Sequence, residues 1–440
     1  MPTTHHQVTF RGRLPAGFAA LVVGVLTACG PSEHGDLPSP PATLAELAPP
    51  TMSLRVATYN TSLNDDAPGG LIRRLQGDDV HAGKIAAVLQ HVRPDIVLLN
   101  EFDYDADHRA ADLFQQRFLN RGQYGQSPID YPHRYLAPVN TGLPSGLDID
   151  SDGHTDGPGD AWGFGRHAGQ YGMLLLSRFP LDATAVRTFQ NLRWSSLPGA
   201  RQPRQPGASK DWYSSDIWSQ LRLSSKSHWD VPIETPLGRL HVLASHPTPP
   251  VFDGPEKRNA LRNFDEIRLW VEYLNNTQDA WLTDDQGRQG GLPEQTSFVL
   301  LGDQNADPVD GGSIEHAIVQ LLSHPRVLDY PAPRSTQGRI AAERAGGSNL
   351  TQQGDPDEDT GNFGPRSGNL RVDYVLPSRQ FRVVNSGVFW PAPEQIGADW
   401  VTVSDHRLVW LDLQAENAPQ RASSAGVAHG GDPTTAQTQY

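Results

Sequence analysis

The 440-residue chain contains a single cysteine, Cys29, so no intramolecular disulfide can form. A metal site built from several thiolates is also excluded, which leaves oxygen atoms and histidine nitrogens as ligands. Positive charge is in deficit, because 36 Lys and Arg stand against 50 Asp and Glu, a net charge of −14. Such a protein has no long-range attraction for nucleic acid, so a polyanionic substrate would have to be bound locally by Arg, His or a metal ion.

The apolar run from Leu14 to Leu26 is too short for an ordinary membrane-spanning helix but suits the core of a signal peptide. Arg11 and Arg13 supply the basic flank of such a segment. We therefore expect residues 1–29 to be a targeting segment and the protein to be exported.

The segment Leu26–Cys29 reads Leu-Thr-Ala-Cys and resembles the lipobox of bacterial lipoproteins. The resemblance implies lipidation of Cys29 and a membrane anchor. In the alternative, an ordinary signal peptide is cut nearby, Cys29 is incidental and the protein is secreted. A Pro- and Ser-rich tether over residues 30–51 would lead to a folded domain over 52–414, and the polar residues 415–440 are typical of a disordered tail.

Several predicted strands end in polar side chains. The apolar residues 298–301 are typical of a strand covered on both faces, and Gly302 then lets the backbone turn. Asp303 and Asn305 are two residues apart, so on an extended backbone they would project together. Each such strand end could instead be an ordinary Asx turn. The other strand ends of this kind carry Asn60, Glu101, His246, and Asp405 with His406, while Asp373 lies inside a further predicted strand.

The distribution of apolar residues predicts seven strands with few helices, the longest helix running from about 255 to 274. Three long segments read as loops: 103–170, 188–230 and 331–368. Together these features predict an α/β fold, a four-layer α/β sandwich in which two mixed β-sheets lie face to face with helices outside. The strands of such a sandwich can bring their polar ends to a common rim.

The chemistry of these strand ends favours a divalent metal. Carboxylate and carboxamide oxygens with few nitrogens suit Mg2+ or Mn2+ better than structural zinc. Two histidines beside them can stabilise a phosphoryl group or move protons. This set of groups fits metal-assisted hydrolysis of a phosphoester.

The order of the motifs resembles the endonuclease/exonuclease/phosphatase superfamily, which includes exonuclease III, pancreatic-type deoxyribonuclease and sphingomyelinases. The resemblance covers about residues 53 to 413. It rests on six motifs in the family's order: Thr58-Tyr59-Asn60, Leu99-Asn100-Glu101, Ser245-His246, Gly302-Asp303-Gln304-Asn305, Arg371-Val372-Asp373-Tyr374 and Ser404-Asp405-His406.

The resemblance implies that Glu101 is the main metal ligand, with Asn60 and Asp405 close by. It implies that Asp303 and Asn305 hold and polarise the attacking water and the phosphate. The sequence departs from the family at Gln304, where an aromatic or apolar residue is usual. Because Gln304 should point away from the site, we expect little effect.

Three further residues have implied roles in phosphate binding and proton transfer. His246 would hydrogen-bond the scissile phosphate. Asp373 would orient His406, which would transfer a proton or stabilise developing charge. Whether Asp303 or His406 is the general base stays open. The sequence 371–374 differs from the motif of inositol polyphosphate 5-phosphatases, which argues against inositol phosphates as substrates.

The substrate contacts that vary in the family would come from Arg166, Tyr171, and Lys226 or His228. An acidic segment before them reproduces much of a calcium loop, although Gly159 occupies the position of the usual final glutamate. Bound Ca2+ would order this segment and place the aromatic residues 162–165 at the rim of the active site; the alternative is a solvated turn. The loop residues are Asp148, Asp150, Asp152, His154 and Asp156.

The sequence therefore predicts an exported, metal-dependent phosphoesterase, nuclease-like or phosphatase-like, acting on nucleic acid or a small phosphoester. One alternative is a sphingomyelinase-like or phospholipase C-like enzyme, for which a surface anchor would be suitable. Another is a surface binding protein that kept the fold and lost turnover, but the intact set of site residues argues against it. No feature of the sequence indicates a protein partner, so we expect a monomer.

Overall fold

The computed structural model describes residues 52–207 and 209–416. The predicted signal peptide, the lipidation of Cys29, the tether over 30–51 and the tail beyond 416 lie outside these residues. The described residues all belong to one compact unit. None of the helices found among them is long and apolar enough to cross a bilayer.

Thirteen strands and eight α-helices make up the regular structure of the described residues. The strands are β1 Leu54–Asn60, β2 Ile96–Asn100, β3 His133–Tyr135, β4 Met173–Ser177, β5 Arg187–Thr188, β6 His228–Thr235, β7 Gly238–Ser245, β8 Phe298–Asp303, β9 Gly361–Asn362, β10 Asn369–Leu370, β11 Asp373–Pro377, β12 Phe381–Val388 and β13 Val409–Ala415. The helices are α1 Gly70–Leu75, α2 Val80–Val92, α3 Arg109–Leu113, α4 Ser215–Trp218, α5 Arg258–Leu274, α6 Val319–Leu322, α7 Gly338–Ala345 and α8 Gly364–Ser367.

Two mixed sheets form the centre of the molecule. One has the strand order β12-β13-β1-β2-β4-β3 and the other the order β11-β8-β7-β6-β5, while β9 and β10 form a separate ribbon. Val56 and Leu98 of the first sheet share one core cluster with Val242 and Leu301 of the second. The sheets therefore pack face to face through alternate residues of their strands.

The outer face of each sheet is covered by a helix. The alternate residues Ala57 and Val97 pack with Ile85 and Val88 of α2. In the second sheet, Leu243 and Leu300 pack with Ile267 and Trp270 of α5 in the same way. These helices complete four layers and confirm the predicted fold class. The side chain of Asp79 caps α2 by accepting the N–H of Ala82, and Pro94 follows its end.

The direction of the central strands decides where the polar residues meet. β1 runs parallel to β2, and β7 runs parallel to β8, so the carboxyl ends of each pair lie at one edge. β11 and β13 are antiparallel to their neighbours and therefore start at that edge. Asp373 is the first residue of β11, not an interior residue as the sequence suggested.

The segments predicted as loops contain more regular structure than expected. Residues 103–170 include α3, a π-helix over Phe114–Leu119 and β3, and residues 331–368 include α7 and β9. The strands β6 and β12 were also not predicted from the sequence. Asp230 and Pro232 made β6 resemble a loop, but Asp230 is buried and accepts hydrogen bonds from His241 and Tyr273. At the end of the domain, β13 reaches Ala415, one residue past the predicted domain boundary at 414.

Candidate active site

The carboxamide of Asn60 links the two sheets at the common edge. Asn60 is completely buried at the end of β1, and its Nδ2 donates to Glu101 Oε1 and to Asp303 Oδ2, both at 3.1 Å. Asn100 strengthens the same link, because its Oδ1 accepts the backbone N–H of Asp303. The side chains that end β1, β2 and β8 therefore form one cluster, as the sequence predicted from separate motifs.

The backbone is strained where it aims these side chains. Glu101 and Asn305 have positive φ angles of 57° and 51°, which non-glycine residues seldom adopt outside functional sites. At Gly302 φ is 144°, and an added Cβ would lie 2.0 Å from the carbonyl oxygen of Ser245. Only glycine fits there, so the turn that presents Asp303 depends on that residue.

Two imidazoles converge on one oxygen of Asp303. His246 Nε2 lies 3.3 Å and His406 Nε2 lies 3.5 Å from Asp303 Oδ2, and all three side chains are buried. Burial alone would raise the pKa of Asp303. The positive charge of His406 and the hydrogen bond from His246 outweigh that effect and hold the pKa below its usual range, so Asp303 is ionised.

The second carboxylate of the cluster, Asp373, orients His406. Asp373 Oδ2 lies 2.8 Å from His406 Nδ1 and also accepts the hydroxyl of Thr360 at 2.8 Å. Burial would lower the pKa of His406, but the charges of Asp373 and Asp303 outweigh burial and raise the pKa to about 10. Burial raises the pKa of Asp373 and His406 opposes that shift. Because His406 lies between two carboxylates, it carries the proton at neutral pH.

The oxygen-rich part of the cluster fits a divalent cation. Glu101 accepts hydrogen bonds from the amides of Asn60 and Asn64, and within the described residues no cationic side chain forms an ion pair with it. Asp405 lines a cavity that opens beside the cluster, and 53% of its side chain is exposed. These oxygen donors suit Mg2+ or Mn2+. The trio Asp303, Asp373 and His406 also lies within 4.8 Å, but His406 Nδ1 is already engaged by Asp373.

A cavity of about 1080 Å³ opens beside these groups and has two chemically different ends. We call the part around the cluster the polar end; it is lined by Glu101, Lys226, His246, Asp303, Asp405 and His406. We call the part lined by Ile149, Trp162, Trp194, Tyr213 and Leu221 the aromatic end, and Phe164 and Phe252 lie at its rim; polar residues such as Asn259 and Asn362 also line the cavity.

Lys226, one of the two alternatives predicted to contact substrate, is a cation of the polar end. It is 6% exposed, and its ammonium forms no hydrogen bond or ion pair with any residue that the structure describes. Burial lowers the pKa of Lys226, while Glu266, Glu101 and Asp303 oppose the shift. A buried cation without an ion pair is costly, so its presence at a cavity wall points to an anionic ligand.

The other residues predicted to contact substrate lie in different places. Tyr171 lines the cavity. His228 instead lies in the core, with one ring nitrogen against the Ser224 hydroxyl at 2.6 Å and the other against the Glu266 carbonyl at 2.9 Å. Arg166 pairs with Asp66 at 2.6 Å, and both side chains are more than half exposed. Neither His228 nor Arg166 belongs to the cavity lining, which corrects the predicted contacts in favour of Lys226 and Tyr171.

The predicted calcium loop is partly assembled. Asp148, Asp150 and Asp152 have carboxylate oxygens within 4.8 Å of one another, whereas His154 and Asp156 are exposed and lie outside that group. A buried acid one place beyond the motif, Asp160, accepts the backbone N–H groups of Ile149 and Gly157 and so closes the loop without a cation. Calcium binding by this loop stays a prediction.

Several residues that position the site were not identified from the sequence. Thr360 lies in a segment predicted to be a loop, and no local pattern indicates its bond to Asp373. Ser404 accepts the N–H of His406 and donates its hydroxyl to the carbonyl of Asn60. Its place in the Ser-Asp-His motif could have indicated this bridging role.

Comparison with known proteins gives a consistent result. A sequence model described as the Endonuclease/Exonuclease/phosphatase family matches residues 57–406. No curated protein sequence matches significantly. Among solved structures, an endonuclease/exonuclease/phosphatase from Beutenbergia cavernae is 20% identical, with a TM-score of 0.43, over 82% of this chain and 72% of that chain.

Two other solved structures are similar over most of this chain. Sphingomyelinase C from Streptomyces griseocarneus is 17% identical over 82% of this chain and 99% of its own, with a TM-score of 0.43. A beta toxin from Staphylococcus aureus with bound magnesium ions is 11% identical over 83% of this chain and 100% of its own, with a TM-score of 0.40. The family match spans most of the chain and includes every strand end described above. The chain therefore belongs to the endonuclease/exonuclease/phosphatase family, whose members are metal-dependent phosphoesterases.

Proposed function

We propose that the protein is an exported phosphoesterase that hydrolyses phosphodiester or phosphomonoester bonds by in-line attack of water. The observation that carries this proposal is the convergence of two imidazole nitrogens and one carboxamide on Asp303 Oδ2, beside a buried lysine that has no ion pair among the described residues. Groups of both signs, fixed before substrate arrives, are what stabilisation of a phosphoryl transition state requires.

The metal ion would be held by Glu101, Asn60 and Asp405, with Mg2+ or Mn2+ as the candidates. When bound, such an ion supplies positive charge that polarises the phosphoryl group. The amide of Asn60 would meet a cation through Oδ1, which accepts the N–H of Ser62 in the structure, while Nδ2 keeps its bonds to Glu101 and Asp303.

Asp303 and Asn305 would orient the attacking water. Asp303 is ionised, because its pKa is lowered, and it can therefore accept a hydrogen bond from the attacking water and orient it. The amide of Asn305 also lines the cavity and is steadied by donation to the carbonyl of Pro247 at 3.1 Å. Of the two candidate bases, Asp303 is favoured, since His406 already carries a proton.

His406 would act as a cationic donor. Its raised pKa keeps the imidazole charged at neutral pH, so Nε2 can stabilise the negative charge that develops on the phosphoryl oxygens or protonate the leaving oxygen. Burial and the charge of Lys226 lower the pKa of His246, so its neutral imidazole has one N–H, which it can give either to Asp303 or to the phosphate. Lys226 lines the same cavity and would form an ion pair with the phosphate.

A second candidate is a head-group hydrolase of the sphingomyelinase or phospholipase C type. The aromatic end of the cavity favours it, because the rings can bury the apolar part of a lipid, which small sugar phosphates do not have. Lipidation of Cys29 would hold such an enzyme at a membrane surface. Replacement by Cys29→Ser should release the protein from the membrane fraction; unchanged partitioning would remove the proposed anchor.

The decisive experiment is hydrolysis by the full-length protein of a small panel with Mg2+, Mn2+, Ca2+ or chelator. The panel contains single-stranded DNA, duplex DNA, RNA, sphingomyelin, and bis- and mono-p-nitrophenyl phosphate. We expect metal-dependent cleavage of at least one class and none with chelator. A folded protein that cleaves nothing with any metal would favour a non-catalytic binding protein on the same fold.

A further inference from the structure

The aromatic end of the cavity starts directly beside the proposed phosphate site. An added Cβ at Gly163 would lie 2.0 Å from the carbonyl oxygen of Ser225, so the chain around Gly163 packs against the residue that precedes Lys226. Gly163 also donates its N–H to the Asn140 carbonyl at 3.1 Å, and Asn140 donates to the Lys226 carbonyl at 2.9 Å. Trp162 and the Lys226 ammonium are thus parts of one wall.

The rings of this wall are held by contacts behind it. Trp194 donates its indole N–H to Asp265 at 2.7 Å and is almost completely buried, yet it lines the cavity. Tyr213 stacks on Trp218 with the two ring planes 11° apart. The carbonyl of Trp162 accepts a hydrogen bond from Arg262 at 2.7 Å. These contacts fix the aromatic surface before any ligand arrives, which lowers the entropic cost of binding.

Within the part of the chain that the structure describes, the aromatic end has no free cation for a second phosphate. Of the arginines in its lining, Arg258 pairs with Glu256 at 2.8 Å. Arg262 donates to the backbone carbonyls of Leu223, Trp162 and Arg222. A phosphate at the polar end would meet Lys226 and His406, whereas the aromatic end offers apolar rings, the carboxylate of Asp150 and arginines that are already hydrogen-bonded.

The rim of the aromatic end is unusually apolar for a water-exposed surface. Phe164 is 62% exposed and Phe252 is 88% exposed, and they come from separate segments of the chain. Exposed aromatic side chains gathered at the mouth of a cavity indicate a binding surface. The volume of about 1080 Å³ is large enough for an organic group of drug size in addition to a phosphate.

We propose that the aromatic end binds an apolar alkyl or aryl group that is esterified to the phosphate at Lys226. This inference rests on the proposed phosphoesterase function and gives its substrate class: phosphoesters of apolar alcohols, in preference to nucleic acids and methyl esters. A soluble ester and a lipid could both present the apolar group, because in each of them an ester bond joins that group to the phosphate.

The test measures binding of non-hydrolysable phosphonates to the full-length protein by calorimetry, with Mg2+ present. We expect phenylphosphonate to bind at least about tenfold more tightly than methylphosphonate, because only the phenyl group reaches the aromatic end. This ratio should shrink in Trp162→Ala and in Phe252→Ala, but not in Ile396→Ala, whose residue is exposed and outside the lining. Phe252 is exposed, so its replacement does not disturb the core. Equal binding of the two phosphonates, or a ratio unchanged in both cavity variants, would overturn the proposal.

Two further arms separate the possible failures and the possible sources. If the protein hydrolyses phosphoesters but binds the two phosphonates equally well, this inference is refuted and the proposed function stays intact. Preferential phosphonate binding without hydrolysis of any ester would refute the proposed function. Phosphatidylcholine vesicles that compete with phenylphosphonate would support a lipid as the source of the apolar group, and vesicles that do not compete would support a soluble ester.

Discussion

The two ends of the cavity are built from different parts of the chain. The polar end comes from strand ends and strand starts, whose positions are fixed by sheet pairing, as in the parallel register of Asn60 with Asn100. The aromatic end comes from the long segments 103–170 and 188–230, which supply Trp162, Trp194 and Tyr213. Strand ends cannot move without breaking a sheet, whereas such connecting segments can change without affecting the core. We infer that the strand ends determine the reaction and the connecting segments determine which ester is accepted.

The largest effect should follow from Asp303→Asn, which keeps the shape of the side chain and removes its charge. We expect kcat to fall by about 10³-fold, because the water loses its orienting carboxylate and the two imidazoles lose their shared partner. Circular dichroism should show an unchanged fold. Asp412→Asn serves as the control. Asp412 lies outside the cavity lining and forms an ion pair with Arg55 at 2.8 Å. Activity within about threefold of the wild type would show that the polar end does not perform the reaction.

Lys226→Met should separate function from stability. We expect KM to rise by about tenfold to hundredfold, because the phosphate loses a charged hydrogen bond. The melting temperature should stay equal or rise, because an ammonium buried without an ion pair is replaced by an apolar side chain of similar length. Lys210→Met, at an exposed position outside the cavity lining, should change neither quantity. A fall in melting temperature with unchanged KM would mean that Lys226 serves the fold.

A smaller effect concerns Asp359, which precedes Thr360 in the segment behind the polar end. Burial, with the charges of Asp307 and Asp310, raises the pKa of Asp359 to about 8. Since the folded state holds this proton more tightly, the stability contributed by protonated Asp359 is complete below pH 3.8 and is lost as pH rises through about 8.

The substitution Asp359→Asn should therefore stabilise the protein at pH 9 by about 1–3 kcal/mol relative to the wild type and have little effect at about pH 4. Urea unfolding at the two pH values measures this. Asp355→Asn is the opposite control: hydrogen bonds from Arg334 lower the pKa of Asp355, so that variant should lose stability at neutral pH. If Asp359→Asn changes stability by the same amount at both pH values, the expected titration is contradicted.

The smallest effect is expected at the acidic loop beside the aromatic end. If Asp148, Asp150 and Asp152 bind Ca2+, saturating calcium should add about 1–2 kcal/mol to the free energy of unfolding. Differential scanning calorimetry with Ca2+, with Mg2+ and after Asp152→Asn would measure the gain. An unchanged melting temperature in calcium would remove this prediction and leave the solvated turn.

The sequence was sufficient to predict the strand-end residues of the polar end, because each of their motifs is local. Each motif pairs an apolar strand with a polar residue at its end, and parallel pairing then brings the ends together without further information. The aromatic end depends on contacts between distant segments. That Trp162 lies beside Lys226 is decided by the packing of Gly163 on Ser225, which no periodicity predicts.

The choice between Lys226 and His228 illustrates the same limit. Residues two apart share a face only within a regular strand, and β6 begins at His228. Lys226 therefore lies before the strand and reaches the cavity, while His228 enters the core against Ser224 and Glu266. Because Asp230 and Pro232 are untypical of a strand, the start of β6 could not be predicted. The sequence therefore could not decide between Lys226 and His228.

The pairing of the first strand with the last has a consequence for biosynthesis. β1 pairs with β13, and Ser404 donates to the carbonyl of Asn60 across 344 positions of the chain. Contacts so far apart in sequence raise the contact order, which slows folding. During synthesis from the N-terminus, the catalytic groups cannot assemble until the ribosome has released the last strand. Incomplete chains should therefore be unable to hydrolyse phosphoesters inside the cell that makes them.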